Sequence, residues 1–410
     1  MTYDGRVRLM ILGLNYAPET TGIAPYTTAL AEHLAAQNYD TTVISGHPHY
    51  PEWQLHAGFE KARKPMVVRG VRIVRVKHPV PRNPTGIARL WMELVFAYRC
   101  ALKLVQHRPS IVIVVSPALL ALAPAVLLRR VLGHRVGVVV QDLYGAALAE
   151  AGLGGAVSAR VAGWLERRLL SQAQGIVVIH EVFKSRLAKS GIPAQLIEVV
   201  PNWVHVSMPP TQDRGAIRSM LGWQSDEFVA VHAGNMGAKQ GLEGLVDVAR
   251  LAQDRGIGVR IVLMGDGSRR QALEELGKGL ANLTIMDPLP KGRFEAALGA
   301  ADCLLLHERP GVVEMSVPSK LTTYFASGRP VVAATDPRSG AASLMAASGA
   351  GIAIPAGSAS NILEAIRRLA KAPDQAARFG EDGRRYAAQH LSGTASLKRH
   401  TEWVRRLATP

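Results

Sequence analysis

Short apolar runs alternate with stretches of helical period twice along this chain, and that alternation constrains the fold more than any other feature. In the first series the apolar runs fall at residues 8–14, 41–45, 71–76, 111–115, 136–140, 176–179 and 196–200, with helical stretches such as 23–37 and 87–106 between them. Strands separated by a helix's length of chain cannot form tight hairpins, so they pair in parallel through helical crossovers. A second series follows, with strands at 228–232, 259–264, 283–286, 303–306, 331–334 and 351–354 and helices such as 242–253. Between the two series, residues 201–214 carry three prolines among polar side chains and read as a linker. The fold class this predicts is α/β: two doubly wound Rossmann-like domains facing across a cleft, with ligands at the carboxyl ends of the strands.

Length agrees with two cores, since 410 residues exceed what one interior usually serves. Apolar residues make up 48% and charged residues 20%, far from the composition of disorder. Only Cys100 and Cys303 are present, which excludes a disulfide framework and fits a reducing compartment. The chain enters its first strand near Val7 with no apolar stretch suited to export, so the expected location is cytoplasmic. Residues 111–128 imitate a membrane span, but Pro117 and Pro124 interrupt them and the β-branched first part gives way to a Leu/Ala-rich second part. A buried strand followed by a helix is the simpler reading.

The formal net charge is +16, and residues 1–200 hold 23 basic against 12 acidic side chains. Arginines prevail over lysines and no lysine-rich tail with interleaved aromatics occurs, so nucleic acid is not the expected partner. Around residues 89–103, cations alternate with Leu, Trp and Phe, a pattern that serves either an anionic membrane surface or an ordinary amphipathic core helix.

Five segments can carry chemistry. The loop after the first strand ends in Gly22 as a helix begins, which suits a tight turn and a ligand equally. In the second half, Gly234, Asn235, Gly237 and Gly241 with Lys239 form the equivalent loop, where glycines let the backbone approach a pyrophosphate and the lysine neutralises it. The glycine spacing is not that of a dinucleotide site. Ser319 is placed to cap a helix that carries Lys320 at its positive end, an arrangement suited to an anion. Asp142 follows an apolar strand and can act as a base, stabilise positive charge or cap a helix. The loop from His47 to Trp53 offers two histidines and a glutamate, yet its prolines favour a substrate-facing loop over a metal site. No Asp-x-Asp pair is present to hold a divalent ion. No metal and no cofactor are expected.

Together these segments resemble the family-4 retaining glycosyltransferases of the GT-B fold, in particular the bacterial exopolysaccharide branch that includes colanic acid transferases. The residues that carry the resemblance are Asn15 to Glu19, Gly22, His49 to Trp53, Gln141 to Leu143, Pro201 to Trp203, Gly234, Asn235, Gln240, Gly241, Pro318 to Lys320 and Gly328 to Pro330. It implies an acceptor-binding domain over 1–200, a nucleotide-sugar-binding domain over 201–391, and a final helix over 392–410 that crosses back to the first domain. It also implies that Lys239 and Lys320 stabilise a departing diphosphate, that Gly22 admits the donor phosphate or reacting sugar, and that Asp142 steadies that sugar. The expected activity is transfer of a sugar from a nucleoside-diphosphate donor to a lipid-linked or polysaccharide acceptor, with peripheral contact to anionic membrane.

One position departs from the family pattern. Where many relatives hold the nucleotide ribose with a glutamate, this chain has Thr323, a weaker partner, with Met315 at the position of the preceding glutamate. Glu308 and Glu314 are the candidates to substitute. The competing activities are a nucleotide-sugar epimerase or hydrolase, a non-catalytic binding protein, and transfer to a soluble small molecule.

Overall fold

The computed structural model describes residues 6–20, 22–59, 64–81, 86–116, 119–143, 155–204, 213–312 and 320–409. One unit holds the residues up to Asn202 and those from Thr394 onward; the second lies between Trp203 and Gly393.

The first unit runs β1 (Arg8–Leu12), α1 (Ala24–Ala36), β2 (Asp40–Gly46), β3 (Met66–Val68), β4 (Val71–Val76), α2 (Gly86–His107), β5 (Ile111–Val115), α3 (Leu122–Leu132), β6 (Arg135–Val140), α4 (Gly155–Leu170), β7 (Gly175–Val178), α5 (Glu181–Lys189) and β8 (Ile197–Val199). Its sheet has the order β3-β4-β2-β1-β5-β6-β7-β8, parallel throughout except for the antiparallel pair of β3 and β4. β5 is buried along its whole length because helices cover both faces, which is why its five residues read IVIVV without alternation. Residues 111–128 therefore contain a strand and the start of a helix, and among the described residues no helix is long and apolar enough to cross a membrane.

The second unit runs α6 (Arg214–Met220), β9 (Phe228–Ala233), α7 (Glu243–Asp254), β10 (Val259–Met264), α8 (Arg270–Leu276), β11 (Leu283–Met286), α9 (Arg293–Ala300), β12 (Cys303–His307), α10 (Lys320–Ser327), β13 (Val331–Ala334), α11 (Gly340–Ser348), β14 (Gly351–Ile354), α12 (Ala359–Lys371) and α13 (Pro373–His390). All its strands are parallel, in the order β11-β10-β9-β12-β13-β14. Strand period two divides the core: Val229, Val231 and Ala233 of β9 face one apolar layer, while Ala230, with Ile261 and Leu263 of β10, faces the other.

The end of the chain forms two helices. α13 ends at His390, and α14 (Gly393–Ala408) begins at a glycine where an added Cβ would stand 3.0 Å from Cδ1 of Trp203. From Thr394 onward α14 belongs to the first unit, where Trp403, Val404 and Leu407 join the core of β1, β5, β6 and β7. Two strand glycines make room for it. A Cβ on Gly137 would lie 2.6 Å from both Trp403 and Leu407, and one on Gly175 would lie 2.7 Å from Nε1 of Trp403.

Candidate active site

In the second unit the strand order reverses direction between β9 and β12, because β10 and β11 extend to one side and β13 and β14 to the other. The loops leaving these two strands diverge, so a crevice opens at their carboxyl ends, the usual ligand position in such sheets. Gly234 follows β9 with φ at +128°, a conformation that side chains rarely adopt. It lies against Lys320: a Cβ at Gly234 would be 3.6 Å from both Cε and Nζ of that lysine. The loop is laced to the one after β10, through Met236 N–H donating to Asp266 O at 2.8 Å and Arg269 N–H donating to Met236 O at 2.9 Å. Gly265 permits this contact, since a Cβ there would stand 2.0 Å from the Gly234 carbonyl oxygen. The Asn235 side chain sits between Gly237 and Gly267.

Lys320 opens α10 and donates from Nζ to Nε2 of His232 at 3.1 Å. The other ring nitrogen of His232 faces the Leu305 carbonyl at 3.1 Å. A carbonyl only accepts, so Nδ1 carries the proton and Nε2 is a bare acceptor for the lysine. His232 has no exposed surface, and burial, reinforced by the neighbouring lysine, holds its pKa well below the usual histidine range. Burial also pushes the Lys320 ammonium down to about 7; the Glu308 carboxylate opposes that shift and the Lys239 cation adds to it. The fold thus brings Gly234, Lys239 and Lys320 to one place. Glu308 is 5% exposed and accepts from the Thr335 hydroxyl, which also lies 2.8 Å from the Ser339 hydroxyl.

Thr323 stands one turn beyond Lys320 in α10 and is 6% exposed. Glu314 and Ser319 lie outside the described residues. A half-open cavity of about 470 Å³ adjoins the glycine loop, lined by Gly241, Glu243, Arg269, His307, Arg309 and Ser358. Lys320 does not line it, so the cavity flanks the lysine site without containing it. Among the described residues no group of three His, Cys, Asp or Glu side chains is placed to hold a metal ion.

The first unit assembles its own cluster. Ser116, after β5, donates to Asp142 O at 3.1 Å and accepts from Gln141 N–H at 3.1 Å, which fixes the turn after β6 that carries Asp142. Gln141 in turn accepts from the Asn202 amide at 2.8 Å. Burial raises the pKa of the Tyr50 phenol, and the Asp142 carboxylate raises it further, so the two groups are neighbours. Gly22 packs on the same ring: with φ at +65°, a Cβ would lie 3.0 Å from Cε1 of Tyr50. The loop from His47 to Trp53 starts in the interior, with His47 and His49 only 2% and 1% exposed, and reaches the surface at Glu52. Glu19, given no role of its own in the sequence, holds it by accepting from the backbone N–H groups of His49 and Tyr50 at 2.8 and 2.9 Å. His232 was also missed, although a histidine ending a strand just before a glycine-rich loop was a visible signal.

Residues 21–203 match the glycosyl transferase 4-like domain and residues 227–372 match glycosyl transferases group 1. The chain is a glycosyltransferase of the GT-B fold. The glycosyltransferase is 29% identical over 333 residues to the putative colanic acid biosynthesis glycosyl transferase WcaI of Escherichia coli K12, covering 78% of this chain and 82% of that protein. Its fold matches sucrose-phosphate synthase from Thermosynechococcus elongatus with a TM-score of 0.76 at 16% identity, over 98% of this chain and 99% of that one. It also matches Anabaena HepE, solved in complex with UDP-glucose, with a TM-score of 0.71 at 15% identity over 98% and 100% of the two chains.

Proposed function

We propose that this glycosyltransferase moves a sugar, with retention of anomeric configuration, from a nucleoside-diphosphate sugar to a lipid-linked or polysaccharide acceptor in cell-envelope or exopolysaccharide synthesis. The observation that carries the donor class is Lys320, a cation held by His232 against the Gly234 backbone at the carboxyl end of β9. A diphosphate leaving group develops negative charge in the transition state, and preorganised donors aimed at that charge are the largest single source of rate in such sites. Lys320 and Lys239 supply that charge, so the reaction needs no divalent metal. Support for the reading comes from HepE, whose complex holds UDP-glucose, and from WcaI, named for colanic acid biosynthesis.

Within the first unit, Asp142 beside Tyr50 and Gly22 is placed to steady the reacting sugar and its positively charged transition state. Glu308, buried and hydrogen-bonded to Thr335, offers a carboxylate for donor hydroxyls where Thr323 replaces the usual ribose partner. The enzyme works in the cytoplasm in peripheral contact with anionic membrane.

Incubation with a panel of nucleoside-diphosphate sugars, with and without membrane extract and in the presence of EDTA, tests this. Acceptor-dependent release of nucleoside diphosphate is the expected result. Release without any acceptor would make the protein a hydrolase or an epimerase, and binding without turnover a non-catalytic receptor. Transfer to small molecules with none to extract would move the acceptor out of the envelope.

A further inference from the structure

α2, α3 and α4 each lead toward a strand further along the same direction of the first sheet, and right-handed crossovers place such helices on one face. They form one layer, α2 packed on α3 and α3 on α4. The inward side of α2 is ordinary core, with Met92, Phe96, Cys100 and Leu104 buried. Its outward side is apolar as well. Trp91, Leu94, Tyr98 and Leu102 recur at steps of three and four residues and are 59%, 45%, 62% and 46% exposed, so a second apolar stripe faces away from the core. Leu127 and Val131 of α3, one turn apart, are 74% and 81% exposed, and Trp164 of α4 is 55% exposed. An apolar area running across three helices is larger than the scattered apolar side chains of an ordinary surface.

Charge decides the partner. The acidic side chains described on these helices are Glu93 and Glu166, and both are buried. Arg99, Arg130, Arg160, Arg167 and Arg168 are all exposed. An apolar stripe with two exposed tryptophans and cations alone among its exposed charges is complementary to an anionic lipid interface: apolar groups enter the acyl boundary, indoles rest at headgroup depth and guanidiniums meet phosphates.

We propose that the outward face of α2, α3 and α4 is the surface by which the enzyme docks onto an anionic lipid bilayer. This deepens the membrane contact in the functional reading above by naming the surface and the lipid class, and it assumes nothing about the sugar transferred.

The test is flotation of the full chain with vesicles of phosphatidylcholine alone and of phosphatidylcholine with phosphatidylglycerol. Binding to the anionic vesicles, weakened by high salt, is expected, with little on the neutral ones. The double variant Leu94→Glu/Leu127→Glu, which alters only exposed positions, is expected to bind anionic vesicles at least tenfold less while keeping the wild-type melting temperature. Wild-type protein that stays unbound, or a double variant that floats as well as wild type, overturns the proposal. So does a solution dimer that the double variant splits, with no vesicle binding, since the face would then join two copies of the chain. Flotation reads no turnover, so a chain that floats but consumes no donor removes the transferase reading and leaves this surface standing.

Discussion

Nζ of Lys320 donates to Nε2 of His232 across 3.1 Å, joining the first residue of α10 to the strand that opens the second sheet. The lysine is thereby aimed by an imidazole that has to remain neutral to accept, and burial keeps it neutral.

Removal of this cation is expected to act on the transition state. Lys320→Ala should lower kcat about 100- to 1,000-fold, the range found when one preorganised charge-stabilising donor is deleted. Folding should survive, since removing an ammonium that burial disfavours relieves a desolvation cost. Steady-state kinetics beside a thermal melt check this, and unchanged turnover in a folded variant would remove Lys320 from the mechanism.

The same lysine makes donor binding depend on pH. In the free enzyme its pKa is about 7, because burial disfavours the charged form. A bound diphosphate favours that form, so binding near pH 8 draws in a proton, and affinity for a nucleoside diphosphate falls as pH rises above 7. The stability sign is opposite in sense. The folded pKa lies below the unfolded one, so the folded state binds fewer protons between about 7 and the ordinary lysine value, and this group adds stability as pH climbs through that window. Calorimetry in two buffers of different ionisation enthalpy measures the proton, and Lys320→Met should abolish its uptake.

Gly265 carries a steric prediction. Its φ is +153° and an added Cβ would meet the Gly234 carbonyl oxygen at 2.0 Å, a backbone atom that cannot swing aside. Gly265→Ala should cost about 3 kcal/mol or more and displace the glycine loop, weakening donor binding as well. Gly133→Ala is the control: φ is +73° but nothing lies within 4 Å of the added carbon, so only the left-handed conformation is penalised, by about 1 kcal/mol. Melting curves of the two variants separate the effects.

In the first unit, Trp403 fills the space left by Gly137 and Gly175 and is 3% exposed. Trp403→Ala should destabilise that unit by about 3–5 kcal/mol, through lost burial and the cavity left behind. Denaturant unfolding followed by circular dichroism should show an earlier transition, while Trp164→Ala, at an exposed position, should leave it in place.

Much of this architecture was legible in the residues. The runs 8–14 and 111–115 read as strands because both are short and apolar and the second is wholly β-branched, and the structure places β1 and β5 there as paired neighbours. β3 was not legible: three exposed residues at a sheet edge carry no period to detect. The packing of Trp203 against Gly393, where α14 begins, was not legible, because it joins residues far apart in the chain. At the candidate site, the glycine loop and Lys320 stood out for their chemistry, whereas His232 and Glu19 did not. Their importance lies in partners 88 and about 30 residues away.

The amino-acid sequence by itself determined that helices and strands alternate, that strands joined through helices are parallel and that two cores form, because crossover length and burial periodicity are local properties of the chain. Tertiary structure decided which strand ends adjoin, and so which charges share a site. It also decided that α2 turns one apolar stripe inward and another to solvent. Neither outcome is carried by any window of residues, since electrostatic proximity and burial are sums over groups the fold gathers from distant parts of the chain.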